Sequence, residues 1–193
     1  MKKSIFTSTN AMILAAFGIA INLVLGTITQ VLHIPLLFLD TIGTILVAVV
    51  LGPLAGALTG GLTNVIQGIM TNPRDIPFAL VNIAVGLIVG FIVKKFGFSL
   101  KIAVITGIIL AIVAPLIGTP IAVVMYGGLT GGSTDFLFAA LHASGQEIFT
   151  SAFIPRITGN LIDKIASCIL VAVVVPRMPK RFLASMASNN EKQ

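Results

Sequence analysis

The feature that most constrains this chain is a succession of long aliphatic and glycine-rich runs, such as "AMILAAFGIAINLVLG" at 11–26, with almost no charge inside them. Only 9% of the residues are charged and 56% are hydrophobic, where a soluble domain has about a quarter charged. A segment placed in hydrocarbon must satisfy its own backbone hydrogen bonds, which leaves helices and closed barrels as spanning structures. Runs near 20 apolar residues favour the helix. The chain therefore reads as an all-α integral membrane protein forming a single membrane domain over residues 1–193.

Six runs are predicted, at 9–30, 39–52, 54–70, 77–95, 100–125 and 157–176. The first follows "MKKSIFTSTN" and is read as a retained helix, because no small-residue cleavage site stands clear. The second is short and turns through "LGPLAG" straight into the third, predicting a helical hairpin. With the N-terminus cytoplasmic, Lys2, Lys3, Lys94, Lys95, Lys101, Arg177, Lys180, Arg181 and Lys192 fall inside, against Arg74 and Arg156 outside. That bias selects this orientation and returns the C-terminus to the cytoplasm. The net charge of +6 is thus a topology signal, and its short clusters do not form a nucleic-acid surface.

Against this background the stretch "LTNVIQGIMTNPRDIPFALVN" is conspicuously polar. Asn72, Arg74 and Asp75 are placed in an external loop, with Asn64, Gln67 and Asn82 in the flanking helices. Amides and charges are costly in hydrocarbon unless they face a cavity or a partner. Asn22, Asn64 and Asn82 fit either interhelical hydrogen bonds or ligand contact, and Arg74 with Asp75 fits a solvated loop pair as well as a lid. Asn22, Gln30, His33, Asp40 and Tyr126 join the same external half. Residues 126–156 are expected to form an external loop carrying an interfacial helix in "FLFAALHASGQEIF", with His142 and Gln146 on one face. In "GNLIDK", Asn160, Asp163 and Lys164 project to neighbouring directions, and the opposite charges of the last two lower the cost of burial. At that depth they favour function over packing.

The lone Cys168 offers neither a disulfide nor a thiolate cluster, and no supporting histidine and carboxylate set indicates a metal. No nucleophile with a positioned base is singled out. "GPLAGALTGG" lacks the lysine of a phosphate-cradling loop, so any ATPase would be another chain. The chain is not expected to be an enzyme or to bind a cofactor itself.

Ala11, Ala15, Ala16 and Ala20 in the first run present small residues four apart, which let another helix approach closely. With these alanines, the short second run, the glycine-proline hairpin and the long loop before the last run, the chain resembles the substrate-binding S components of energy-coupling factor (ECF) transporters. The resemblance implies a six-transmembrane-helix bundle with both termini cytoplasmic, in a bacterial cytoplasmic membrane. It implies a membrane coupling subunit that docks on the alanine pattern, and two cytosolic ATPases that use ATP. It also implies a vitamin site near the external surface, with Asn72, Arg74 and Asp75 as lid, and Asn82, Tyr126, Asn160, Asp163 and Lys164 as contacts. Fold does not choose the ligand. With no tryptophan and one tyrosine, a small polar ring of the pyridoxine or hydroxymethylpyrimidine type is favoured, then pantothenate, with cobalamin also open. The competing readings are a membrane ligand-sensor module and a proton-coupled secondary transporter working through Asp163 or Glu147.

Overall fold

The computed structural model describes residues 9–32, 34–132 and 134–179. The described residues form α1 (Thr9–Val31), α2 (Ile42–Leu51), α3 (Pro53–Met70), a 3-10 turn (Pro73–Phe78), α4 (Ala79–Phe96), α5 (Leu100–Tyr126), α6 (Asp135–Ala143) and α7 (Ile148–Val174), with a short 3-10 turn after it. His33 and the terminal basic residues Lys2, Lys3, Lys180, Arg181 and Lys192 lie outside the described residues.

Four segments are long and apolar enough to cross a membrane: Thr9–Val31, Pro73–Phe96, Leu100–Tyr126 and Ile148–Arg177. Helix α2, with 10 residues, reaches about 15 Å, half of a hydrocarbon core about 30 Å thick. It sits instead at the centre, touching α1, α3, α4 and α7. A helix that is apolar all round belongs inside, and Ile42 to Ala48 are all buried.

The α2–α3 turn is a single residue. Gly52 takes φ 93°, a backbone region that side chains disfavour, and Pro53 opens α3 where its missing N–H is harmless. The two helices then run back along each other, with Ala48 against Gly56. Small residues carry the other crossings. A Cβ on Gly43 would collide with the Gly18 backbone, and one on Gly60 would lie 2.6 Å from the Asn82 carbonyl oxygen. On the other side of the bundle α5 lies along α7, where a Cβ on Gly107 would meet the Ile165 Cα at 2.6 Å.

The face of α1 turned towards the bundle carries Ala11, Leu14, Ala15, Gly18, Asn22, Gly26 and Thr29. Ala11 and Ala15 are therefore packed inside, which corrects their assignment to a free docking face. Gly18 must meet Gly43, and residues three and seven positions before it are carried to the same side. Ala16 and Ala20 are exposed on the other face.

The last long helix starts at Ile148, not at 157. Its early turns contain Pro155 and Arg156, so Arg156 is not in the external loop. The predicted interfacial segment is divided between α6 and the start of α7.

If the Gly18–Gly43 contact sets the α1–α2 spacing, Gly43→Ala forces the helices apart. Overpacking costs about 1–3 kcal/mol, so the melting midpoint in detergent should fall by at least about 2–4 °C. An unchanged midpoint would show that the crossing relaxes freely.

Candidate functional site

A cavity of about 210 Å³ lies at the end of the bundle formed by the last turns of α1 and α3, the first turns of α4, the middle of α5 and the first half of α7. Its lining combines the apolar Phe38, Phe78, Val81, Ala114 and Pro115 with a larger number of polar and charged side chains. Asn64 and Gln67 come from α3, Asn82 from α4, Asp75 from the 3-10 turn, and Arg156, Asn160 and Lys164 from α7. These three α7 residues share one face because they are four apart. Lys94 and Lys95 end α4 at the opposite end of that helix from Asn82.

Helix α7 organises the charged wall. Asp163 is fully buried, and its Oδ1 accepts from the backbone N–H groups of Phe38 at 3.0 Å and Leu39 at 2.8 Å. Its Oδ2 accepts from Lys164 Nζ at 2.6 Å. The same ammonium donates to Asp40 Oδ1 at 3.2 Å and Thr41 Oγ1 at 3.0 Å. The loop 34–40 is thus tied to α7 from two sides, and Thr29 of α1 holds it from a third by donating to the Phe38 carbonyl at 2.6 Å. The ties sustain two leucines, Leu36 and Leu39, at φ 60° and 52°, a conformation that bulky residues adopt only when their surroundings impose it.

The predicted residues divide. Asn64, Gln67, Asp75, Asn82, Asn160 and Lys164 line the cavity, whereas Asn72, Arg74, Tyr126 and Asp163 do not. Asn72 caps the 3-10 turn by accepting from the Arg74 N–H at 3.1 Å, a local bond that favours this residue type there. Arg74 is exposed. Tyr126 donates to Asp75 Oδ1 at 2.7 Å, joining the end of α5 to the 3-10 turn beside the cavity. Asp163 faces the backbone of the 34–40 loop. Of the wider set, Gln30 and Asp40 line the cavity. Asn22 does not, since its side chain links three elements, donating to Thr44 and Thr63 and accepting from Gly43 N–H. His142 and Gln146 bond each other locally at 3.1 Å and are exposed. Thr130, Gly132 and Thr134 reach the cavity, while α6 itself does not.

Among the charged residues of the cavity, Arg156 is the one that sequence reasoning missed. It is 7% exposed and donates to the carbonyls of Ala152 at 2.9 Å and Gly128 at 3.1 Å and to Thr130 Oγ1 at 3.4 Å. The signal was present, since Arg156 stands one turn before Asn160 in "PRITGNLIDK". The stretch leading up to Arg156 is polar and glycine-rich and reads as an external loop instead. Among the described residues no group of three His, Cys, Asp or Glu could hold a metal ion.

Removing one member of a buried ion pair leaves the other uncompensated and costs about 3–5 kcal/mol. Asp163→Asn should accordingly lower thermal stability more than Arg74→Ala, which removes an exposed charge. Equal melting curves would dismiss the anchoring role of Asp163.

A family model described as "ECF transporter, substrate-specific component" matches residues 10–175. No curated protein and no solved structure matches the chain.

Proposed function

The chain belongs to the family of substrate-specific components of ECF transporters, and from that premise we propose that it captures a small water-soluble vitamin or vitamin precursor in the cavity at the α1–α3 end and delivers it inwards. One observation carries the reading: in a molecule whose exterior is aliphatic, a cavity gathers amides, a lysine and an arginine, all from elements meeting at one end. Its volume of about 210 Å³ is below the roughly 300–1,000 Å³ usual for drug-sized ligands. A single ring of the pyridoxine or hydroxymethylpyrimidine type, or a short chain such as pantothenate, suits it; a corrin does not.

On this reading α1 to α5 and α7 form the six-helix bundle, with the short α2 at its interior. The cavity end is external, and Lys94, Lys95, Lys101 and Arg177 are cytoplasmic, in a bacterial cytoplasmic membrane. Asp75, held by Tyr126, serves as the lid catch, with Asn72 shaping its turn. The chain is a binding subunit and not an enzyme. A membrane coupling subunit and two ATPases complete the importer, ATP being used there, and the exposed pair Ala16 and Ala20 is the close-approach point for the coupling subunit.

The test is to purify the chain in detergent and screen water-soluble vitamins by ligand-induced thermal shift. A ligand at 100 times its dissociation constant adds about 2.7 kcal/mol to stability, a shift easily seen. No stabilising compound in a folded preparation would sink the proposal. For docking, Ala16→Leu with Ala20→Leu should prevent copurification with the coupling subunit while leaving the ligand-induced shift of the isolated chain intact. Retained copurification would move the docking point elsewhere.

A further inference from the structure

Two buried groups among the described residues that line the cavity have unfinished bonding, one on α7 and one on α4. Arg156 is a buried cation in α7, yet among the described residues no carboxylate lies within ion-pairing distance of it; both ion pairs formed there belong to Lys164. Asp135, whose charge reaches it, is engaged by the Gly131 N–H and by Thr130. A guanidinium has five N–H donors, and three contacts to neutral oxygens account for its bonding. Donors and a positive charge without an ion-pair partner are left over at the cavity wall.

The second group is the Asn64–Asn82 amide pair. Asn82 Nδ2 donates to Asn64 Oδ1, and Asn82 Oδ1, fully buried, has no partner. The contrast with Lys164 is informative, because its ammonium is saturated by Asp163, Asp40 and Thr41. Asp75 accepts from Tyr126 through Oδ1 and, as a carboxylate, offers no donor to an anion. An anionic ligand therefore gains little at those residues and most at the unfinished ones. A buried charge without a counter-ion and a buried acceptor without a donor both carry free-energy costs that a complementary ligand removes.

We propose that the ligand is a small organic acid, whose carboxylate pairs with Arg156 and whose hydroxyl or amide N–H donates to Asn82 Oδ1. This rests on the vitamin-capture reading and narrows it from polar vitamins in general to acids. The guanidinium fork suits a planar carboxylate, which it can engage through two parallel N–H bonds. The Asn82 amide then fixes the other part of the molecule, so that acids lacking a donor are rejected.

The experiment compares matched pairs of donor-bearing compounds on the purified full chain by calorimetry: pantothenate against pantothenol, and biotin against biotinamide, within a panel of carboxylate-bearing and uncharged vitamins. An acid should bind, its uncharged partner should bind at least about 30-fold more weakly, and Arg156→Gln should weaken the acid by a similar factor. Arg156→Lys, which keeps the charge but loses the fork, should recover part of the affinity. Should Arg156→Gln fail to fold, the matched pairs decide alone. Equal binding of acid and uncharged partner, or tight binding confined to uncharged or cationic compounds, overturns the acid proposal while vitamin capture stands. No binding by any compound overturns both.

Discussion

The buried Asp163 carboxylate is the interaction on which the cavity end depends. One oxygen accepts from two consecutive backbone N–H groups of the 34–40 loop and the other from Lys164, so the acid is satisfied wholly within the protein. Its neighbour Lys164 extends the link to Asp40 and to Thr41, the residue that precedes α2. The connection between α1 and α2 is thereby moulded onto α7, a helix remote in sequence. Taking these charges from water is expensive, and only the number and geometry of their bonds offsets the cost. A small rearrangement would leave a bare charge in an apolar setting, so the loop is confined to one conformation, including its two left-handed leucines.

The remainder of the bundle is held by shape. Lipid tails are as apolar as leucine, so helices in a bilayer associate through close packing more than through hydrophobic drive. Small residues do this work between α1 and α2, α2 and α3, and α3 and α4. Helices α5 and α7 pair separately. The cavity opens where this pair meets the α1–α4 group, and there Gly118 of α5 faces Val81 and Phe78 without filling the space between them. A binding site at such a seam can respond to slight shifts of one group against the other, which a site enclosed within either group could not.

How much of this was readable from the sequence depended on whether a signal was local. Helix α1 was legible nearly to its ends, and the α2–α3 hairpin was announced by Gly52 and Pro53. The start of α7 was not, because the stretch before residue 157 is polar and glycine-rich, and Pro155 and Arg156 lie at its end. Proline is tolerated in a membrane helix where neighbours satisfy the freed backbone, and the arginine bonds back to a carbonyl one turn earlier. The small-residue spacing of Ala11, Ala15, Ala16 and Ala20 was visible, but not which pair faced outwards. That depended on Gly18 meeting Gly43, a contact between residues 25 apart. Asp163 was recognised as consequential beside Lys164, although its other partners proved to be backbone groups that no side-chain pattern encodes.

Asn22 and Asn82 make the limit concrete. Both are asparagines in apolar helices, and both are almost completely buried. Asn22 has two hydroxyls and a backbone N–H arranged around it, so its donor and its acceptor are both used. Asn82 has only Asn64 opposite, and its acceptor is left over. The unpaired hydroxyls of Thr59, Thr119 and Ser167 belong to a different case, since a hydroxyl in a helix can rotate to its own preceding carbonyl. An amide has no such local escape. The same residue type thus serves as an internal fastener in one helix and as an open group in another, and the difference lies in what the neighbouring helices bring to meet it.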